Sequence, residues 1–266
     1  MDSQNGWFFW WTSAASAVAA IDFVSLVFLF AWKYKRIDLI DSFWGPTFIV
    51  VAATAFLLGD SKSTASWLVL GLVAVWGTRL WWHIFRRFLR SDKQDPRYTA
   101  LSAKWPPRYE WAQVYLRIYL VQAVLAVIIS LPVIAITHSG STTMPYIAIG
   151  AIVWLAGFLS EAAADRQLAA FTRDKNNKGK LMGKGLWRYS RHPNYFGEIT
   201  QWWGIWIISV GTRYSWPAII GPLVITYLIL FVSGVPPAEE RAKSKPGWDS
   251  YKRRTSMLLP LPLKNI

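Results

Sequence analysis

Cysteine does not occur in the 266 residues, which excludes disulfides, thiolate metal sites and a cysteine nucleophile. Histidine is scarce. His83, His138 and His192 lie far apart in sequence, with no i,i+4 pair and no HExxH spacing, so no histidine metal centre is expected. Carboxylates are outnumbered, 15 against 29 lysines and arginines, yet charged residues make up only 17% of a chain that is 53% hydrophobic. A formal charge of +14 can signal nucleic acid. Here the cations sit between long apolar runs rather than on a polar domain, so nucleic acid is excluded and a membrane is expected. With no internal repeat and no low-complexity linker, residues 1–266 are expected to form a single integral membrane domain.

What is present is tryptophan, eighteen of them. Trp10, Trp11, Trp32, Trp44, Trp81, Trp82, Trp202 and Trp203 fall where apolar runs begin or end, as interfacial indoles do. A span needs about 20 apolar residues to cross about 30 Å of hydrocarbon. Seven candidates meet this pattern, roughly 12–32, 43–59, 66–85, 114–136, 145–164, 195–211 and 216–235, so the fold class is an all-α polytopic membrane helical bundle. The opening stretch MDSQNGWFFWW lacks the basic region of a cleaved signal peptide, and its apolar run is expected to be retained. Cations fill the first, third and fifth loops and the tail after 235, whereas the opposite side receives only Lys62 and Arg213. Seven spans with this bias place the N-terminus outside and the C-terminus in the cytoplasm.

The polar chemistry gathers on that cytoplasmic face. Glu161 and Asp165 are four apart at the end of a span and share one helix face. Carboxylates at such depth line a cavity or pair with cations, here Arg166 and the basic loop, and the two readings weigh evenly. The stretch RHPNYFGE, residues 191–198, contains a helix start, with Ser190 or His192 near the cap and Pro193 in the first turn. Its free N–H groups, with Arg188 and Arg191 nearby, make an anion seat. Asn194 and Glu198, again four apart, continue that seat into a face of amide and carboxylate. Snorkelling arginines and ordinary capping explain the cations equally well but not Asn194 and Glu198 entering a span together. In RIDLIDSFWGP, Asp41 either serves as an acid or caps its helix. Tyr98 is a second proton donor candidate or an interfacial packing residue, and Arg79, inside a span, wants a carboxylate partner. His83 and His138 are read as structural, His138 in a short outer loop. The tail, with Glu239, Glu240, Tyr251 and Arg254, either lies on anionic lipid or folds as a cap.

The succession IDLIDSFWG, DPRY, EAAADRQLAAF, KGLWRYSRHPNYFGE, SGVPPAEE and YKRRTSMLLPLP resembles the steroid 5-alpha-reductase-like membrane proteins, in their domain-of-unknown-function branch, from about Ile37 to Pro262. The resemblance implies NADPH bound in a cytoplasm-facing cavity, a lipid-accessible substrate pocket and reduction of an enone. It implies that Asn194 and Glu198 hold the nicotinamide half, joined by Asp165 and by His192 and Tyr195 of the same motif. Arg188, Arg191, Tyr251 and Arg254 fall where phosphate contacts are expected. Asp41 would be the leading acid or acid-orienting residue, with Tyr98 second. The early helix departs from the family, offering Asp41 with Ser42 where steroid reductases have a glutamine–glutamate pair, and Arg79, Leu80 and His83 in the region of the family's tyrosine. RHPNYFGE and the paired acids also resemble isoprenylcysteine and phospholipid methyltransferases, which bind S-adenosylmethionine at this helix start. A membrane lipid-binding protein without enzymatic activity is the third expectation. Membrane lipids and a lipidic small molecule are the expected partners, with no metal.

Overall fold

The computed structural model describes residues 3–264 apart from 92, 140 and 141. Met1 and Asp2 of the expected retained N-terminal run lie outside the described residues, as does Ile266. Helices account for all the regular structure among the described residues, as the apolar runs predict. They fall into two compact units.

The first unit comprises residues 1–143 and 209–221. It contains α1 (Ser3–Tyr34), α2 (Leu39–Leu58), α3 (Thr64–Leu89), the short α4 (Pro96–Ser102), α5 (Glu110–Val114), α6 (Leu120–Ile129) and α7 (Leu131–Ser139). A single π turn over Tyr115–Tyr119 joins α5 to α6. At the centre is α2, which packs on α1, α3, α6 and α7. Gly77 of α3 and Gly45 of α2 meet there, and a Cβ on Gly77 would stand 2.8 Å from the Gly45 carbonyl.

The expected span 114–136 is two elements rather than one. The membrane-length segment is Pro107–Ile129, and the chain then turns at Ser130 into α7, whose positions 132–138 are all buried. A helix apolar all round, LPVIAITHS, has no solvent face to offer and is covered by α1, α2, α3 and the short α10 (Ser215–Ala218). His138, expected in an outer loop, is instead on this buried helix, with Nδ1 3.5 Å from Asp60 Oδ2 and its ring beside the stacked pair Phe9 and Tyr214.

The second unit, residues 144–208 and 222–266, contains α8 (Met144–Arg173) and α9 (Pro193–Ser209). Most of α11 (Ile220–Tyr227) belongs to it, followed by a π turn over Leu228–Val232, then α12 (Val235–Lys243) and α13 (Trp248–Arg254). Gly150, Trp154, Gly157, Glu161 and Asp165 are buried on α8, and Gly197, Gln201, Gly204 and Ile208 on α9. Both stripes step by three and four, the period of an antiparallel helix seam. Glycines set its depth: Gly157 faces Gly197, Gly150 faces Gly204, and a Cβ on Gly197 would stand 2.6 Å from the Glu161 amide. Small residues at such a crossing let two backbones touch, as in membrane helix pairs.

Among the described residues, six helices are long and apolar enough to cross a membrane: Trp7–Tyr34, Leu39–Leu58, Thr64–Leu89, Pro107–Ile129, Met144–Arg173 and Ser215–Lys243. The protein is therefore an integral membrane helical bundle. The remaining expected span, 195–211, coincides with α9, which at 17 residues is about 26 Å long and carries Asn194, Glu198 and Gln201.

Gly197→Ala is expected to cost about 1–3 kcal/mol, because the methyl group overpacks the seam. Gly71→Ala, whose Cβ would meet nothing within 4 Å, is expected to be neutral or mildly stabilising. Melting of the two purified variants in one detergent checks the contrast; equal melting temperatures contradict it.

Candidate functional site

Each unit contains a polar cluster. In the first, the loop after α3 straps across the start of α2. Arg36 grips Asp38 with Nε at 2.8 Å and Nη2 at 3.0 Å and donates Nη1 to the Ser91 carbonyl at 2.7 Å. Asp38 also accepts the Asp95 amide at 3.2 Å, while Gln94 Oε1 accepts the Ile37 amide at 2.9 Å. Asp95 caps α4 by accepting the Arg97 amide at 2.9 Å. The strap thus presents two side chains to Asp41: Tyr98 donates its hydroxyl to Oδ1, and Arg97 Nη2 reaches Oδ2 at 2.8 Å.

The two expected acid candidates, Asp41 and Tyr98, are 57 positions apart in sequence and directly hydrogen-bonded. Arg97, which sequence reasoning placed beside Tyr98 without naming a carboxylate for it, is a cation on Asp41. Burial pushes the Tyr98 phenol well above its ordinary range, and the Asp41 carboxylate raises it further, so it remains protonated and donates. Arg97 is likewise held in its charged form by Asp95 and Asp41, against the burial that opposes it. A cavity of about 300 Å³ opens on this cluster, lined by Asp38, Asp41, Ser42, Arg87 and Gln94 among others.

In the second unit, α9 begins at Pro193, and Ser190 Oγ accepts the His192 amide at 3.1 Å just before it. The loop ahead of the helix is stitched to the tail. The Arg191 amide donates to the Ser256 carbonyl at 2.8 Å, Ser190 Oγ donates to the Leu258 carbonyl at 2.7 Å, and the Leu261 amide donates to the Tyr189 carbonyl at 3.2 Å. The tail is therefore a folded cap, the second of its two expected forms.

Arg191 is buried and occupied. Its Nε and Nη2 stand 2.8 and 2.7 Å from Glu239 Oε1, and Nη1 donates to the carbonyls of Lys252 (3.0 Å) and Thr255 (2.7 Å). Four of its five N–H groups are thereby directed at protein acceptors. His192 lies beside it, 3.5 Å from Glu239 Oε1 and stacked on Tyr195 at 5.4 Å between centroids. Burial pushes its pKa down to about 4, outweighing the Glu239 carboxylate that favours the charged ring.

The cations with open faces lie elsewhere. Lys180, Lys184, Arg188 and Arg254 line a cleft of about 750 Å³ with Ser250 and Tyr251, and no carboxylate lines it among the described residues. Arg188, Tyr251 and Arg254 were expected at an anion site. Lys180, Lys184 and Ser250 were not, and the sequence signal for the two lysines was the density of lysine and glycine in KGKLMGKG. Tyr251 donates to the Trp187 carbonyl at 2.5 Å, and burial raises its phenol, so it is a fixed wall of the cleft.

Asp165 and Asn194 do meet: Asn194 Nδ2 donates to Asp165 Oδ1 at 3.3 Å across the α8–α9 seam. Asn194 Oδ1 is buried without a hydrogen-bond partner among the described residues. Two turns further along α9, Gln201 Nε2 donates to Glu161 Oε2 at 2.6 Å, a buried pair that sequence reasoning left half-made by naming only Glu161. Glu198 is half-buried on the face of α9 that carries Asn194.

A family model described as a protein of unknown function, DUF1295, matches residues 27–255. Among curated proteins, the chain is 29% identical over 123 residues to the 3-oxo-5-alpha-steroid 4-dehydrogenase 1 of Macaca fascicularis, covering 44% of this chain and 42% of that one. It is 32% identical over 83 residues to the probable O-methyltransferase ustE of Ustilaginoidea virens, covering 30% of this chain and 29% of that one. The chain thus spans less than half the length of either relative. No solved structure matches it significantly.

The lowered pKa of His192 has a definite sign. Between about 6.5 and about 4 the unfolded chain takes up a proton that the folded imidazole refuses, so stability falls as pH falls through that window and the loss levels off below it. The contribution at stake is about 3 kcal/mol. His192→Gln is expected to flatten the difference in melting temperature between neutral and acid pH; an unchanged profile contradicts the assignment. Arg191→Ala strands Glu239 and is expected to cost about 3–5 kcal/mol, with the tail released to limited proteolysis.

Proposed function

This chain belongs to the family described as a protein of unknown function, DUF1295, and we propose for it an NADPH-dependent reduction of a carbon–carbon double bond, of the enone type, in a lipidic, sterol- or isoprenoid-like substrate. The observation that carries the reading is the cleft lined by Lys180, Lys184, Arg188 and Arg254. Four cations without a lining carboxylate suit a ligand with several phosphate charges, and NADPH carries a pyrophosphate and a ribose phosphate. The distant similarity to a steroid dehydrogenase supports the same class.

The chain's residues fit such a ligand at its other end too. The buried, unpartnered Asn194 Oδ1 can accept from a carboxamide N–H₂, with Asp165 fixing the amide through Nδ2. Glu198, His192 and Tyr195 belong to the proposed cofactor-binding set, His192 neutral and packed on Tyr195. Arg191 serves this set as a positioning residue, because its donors hold the tail that supplies Tyr251 and Arg254. NADPH, when bound, supplies the hydride. The proton is assigned to Tyr98, which Asp41 orients by accepting its hydroxyl while Arg97 keeps Asp41 paired. The cation bias of the loops supports a cytoplasmic C-terminus.

S-adenosylmethionine-dependent methyl transfer is the second reading, favoured by the match to ustE. Its ligand has one carboxylate and no phosphate, which leaves most of the cleft's charge unanswered.

NADPH is expected to raise the melting temperature of the purified protein by several degrees. The shift is expected to fall about tenfold in apparent affinity in Lys184→Glu or Arg254→Glu, each reversing one exposed charge. Stabilisation by S-adenosylmethionine alone transfers the site to the second reading. Tyr98→Phe is expected to leave the NADPH shift intact while lowering turnover about 10²-fold or more, because a positioned proton donor contributes on that scale.

A further inference from the structure

The sequence of α1 has one charged side chain ahead of Lys33, and it is Asp22. It stands midway between Trp11 and Trp32, the indoles at the two ends of the apolar run, with about 15 Å of helix on either side. A hydrocarbon layer of about 30 Å fitted to that run has its midplane at this carboxyl. Asp22 is exposed, and among the described residues it makes no hydrogen bond and no ion pair.

The cations around α1 are turned elsewhere. Arg117, exposed in the π turn that packs on α1, lies 5.9 Å from the Trp105 ring centre. Lys33 lies over Tyr34, Lys35 over Trp32 and Trp111, and Arg36 is held by Asp38. Ser25, one turn along from Asp22, is bonded to the Tyr115 hydroxyl at 2.8 Å. A carboxyl at the midplane is costly until something answers it, and lipid tails cannot.

Asp22 is also the centre of a face. Trp11, Ala14, Val18, Asp22, Leu26 and Leu29 are exposed and follow one another at three and four residues, which puts them on one side of the helix. Half-exposed Ala15 and Ala19 lie beside them, so the half of the face that precedes Asp22 is mostly alanine. Side chains that small let a second helix approach until a group as short as a carboxyl can reach across. A lysine or arginine from a foreign helix would bridge a wider gap and needs no such room.

We propose that this face of α1 binds the same face of a second copy of the chain, with the two Asp22 carboxyls hydrogen-bonded to each other at the two-fold axis. Copies inserted in one orientation are related by an axis along the membrane normal, and rotation about that axis preserves depth. A residue on the contact face therefore meets its counterpart at its own level. Two carboxyl groups with a proton between them supply both donor and acceptor, so a copy can answer Asp22 with nothing but Asp22. The inference is independent of the reductase reading.

The absence of cysteine makes the test direct. Val18→Cys puts a thiol on the face one turn from Asp22, and Leu155→Cys puts one at an exposed position of α8 as a control. Oxidation in membranes of the expressing cells is expected to give a disulfide-linked species of twice the chain mass with Val18→Cys, and about tenfold less of it with Leu155→Cys. Added to Val18→Cys, Asp22→Leu is expected to lower the cross-linked fraction about tenfold. Asp22→Asn, whose amide also donates and accepts, is expected to keep it within about threefold. Both substitutions are at an exposed position, and equal melting temperatures of the purified variants check that the fold is kept. Cross-linking at Leu155 as strong as at Val18, or indifference to Asp22→Leu, overturns the proposal. A loss in Asp22→Asn as complete as in Asp22→Leu also overturns it and transfers the face to a partner helix with a cation. The measurement needs no NADPH, so its failure and that of the reductase reading are separable.

Discussion

The contact on which the second unit depends is the buried pair Arg191–Glu239. One guanidinium closes a ring that runs from the loop before α9, through α12, to the carbonyls at the end of α13. Two charges removed from water at 8 and 14% side-chain exposure are stable only when both are fully answered, and here the guanidinium answers one carboxylate and two carbonyls at once. The arrangement has a geometric product. With Arg191 fixed, the tail runs beside residues 187–191, Tyr251 is held against the Trp187 carbonyl, and the exposed cations on either side of the cleft keep their spacing.

A second constraint acts on the helix that follows. Because Gly157 and Gly197 let α8 and α9 touch backbone to backbone, the short side chains of Asp165 and Asn194 can meet across the seam. Larger residues at the crossing would hold the helices further apart and separate the two. Glycine position and hydrogen-bond geometry are thus one feature rather than two.

How much of this was legible before the structure depends on the range of the interaction. Periodicity within a helix is local, so the Glu161/Asp165 face, the Asn194/Glu198 face and the start of α9 at Pro193 were all readable. The Asp41–Tyr98 contact was readable only as two separate candidates, since nothing local across a separation of 57 positions says that the loop after α3 folds back over α2. The Arg97–Asp41 pair went unread for a related reason: a charge inside an apolar run, such as Arg79, looks needier than one in a polar loop. The loop, however, was capped by Asp95 into a turn that aims Arg97 inward. Arg191 was read as an anion contact because cations before a helix start attract anions. Its anion turned out to be supplied by the chain itself, 48 residues later. Breaks in helices were the hardest to see, because LPVIAITHS carries no Asp, Glu, Lys or Arg to separate it from the apolar segment it continues.

That last stretch has a consequence for how the molecule is made. The machinery that inserts a nascent chain sorts segments by hydrophobicity and length, and residues 120–139 form one continuous apolar run to it. In the finished protein only the part up to Ile129 belongs to a membrane-length helix; α7 is wrapped by α1, α2 and α3, which precede it in synthesis, and by α10, which follows it. Three of its four walls therefore exist before α7 leaves the ribosome, and the fourth arrives about 80 residues later, a count that follows from the positions of Leu131 and Ser215. Completion of the first unit is thus a late event in biogenesis, tied to the synthesis of the whole of α8 and α9.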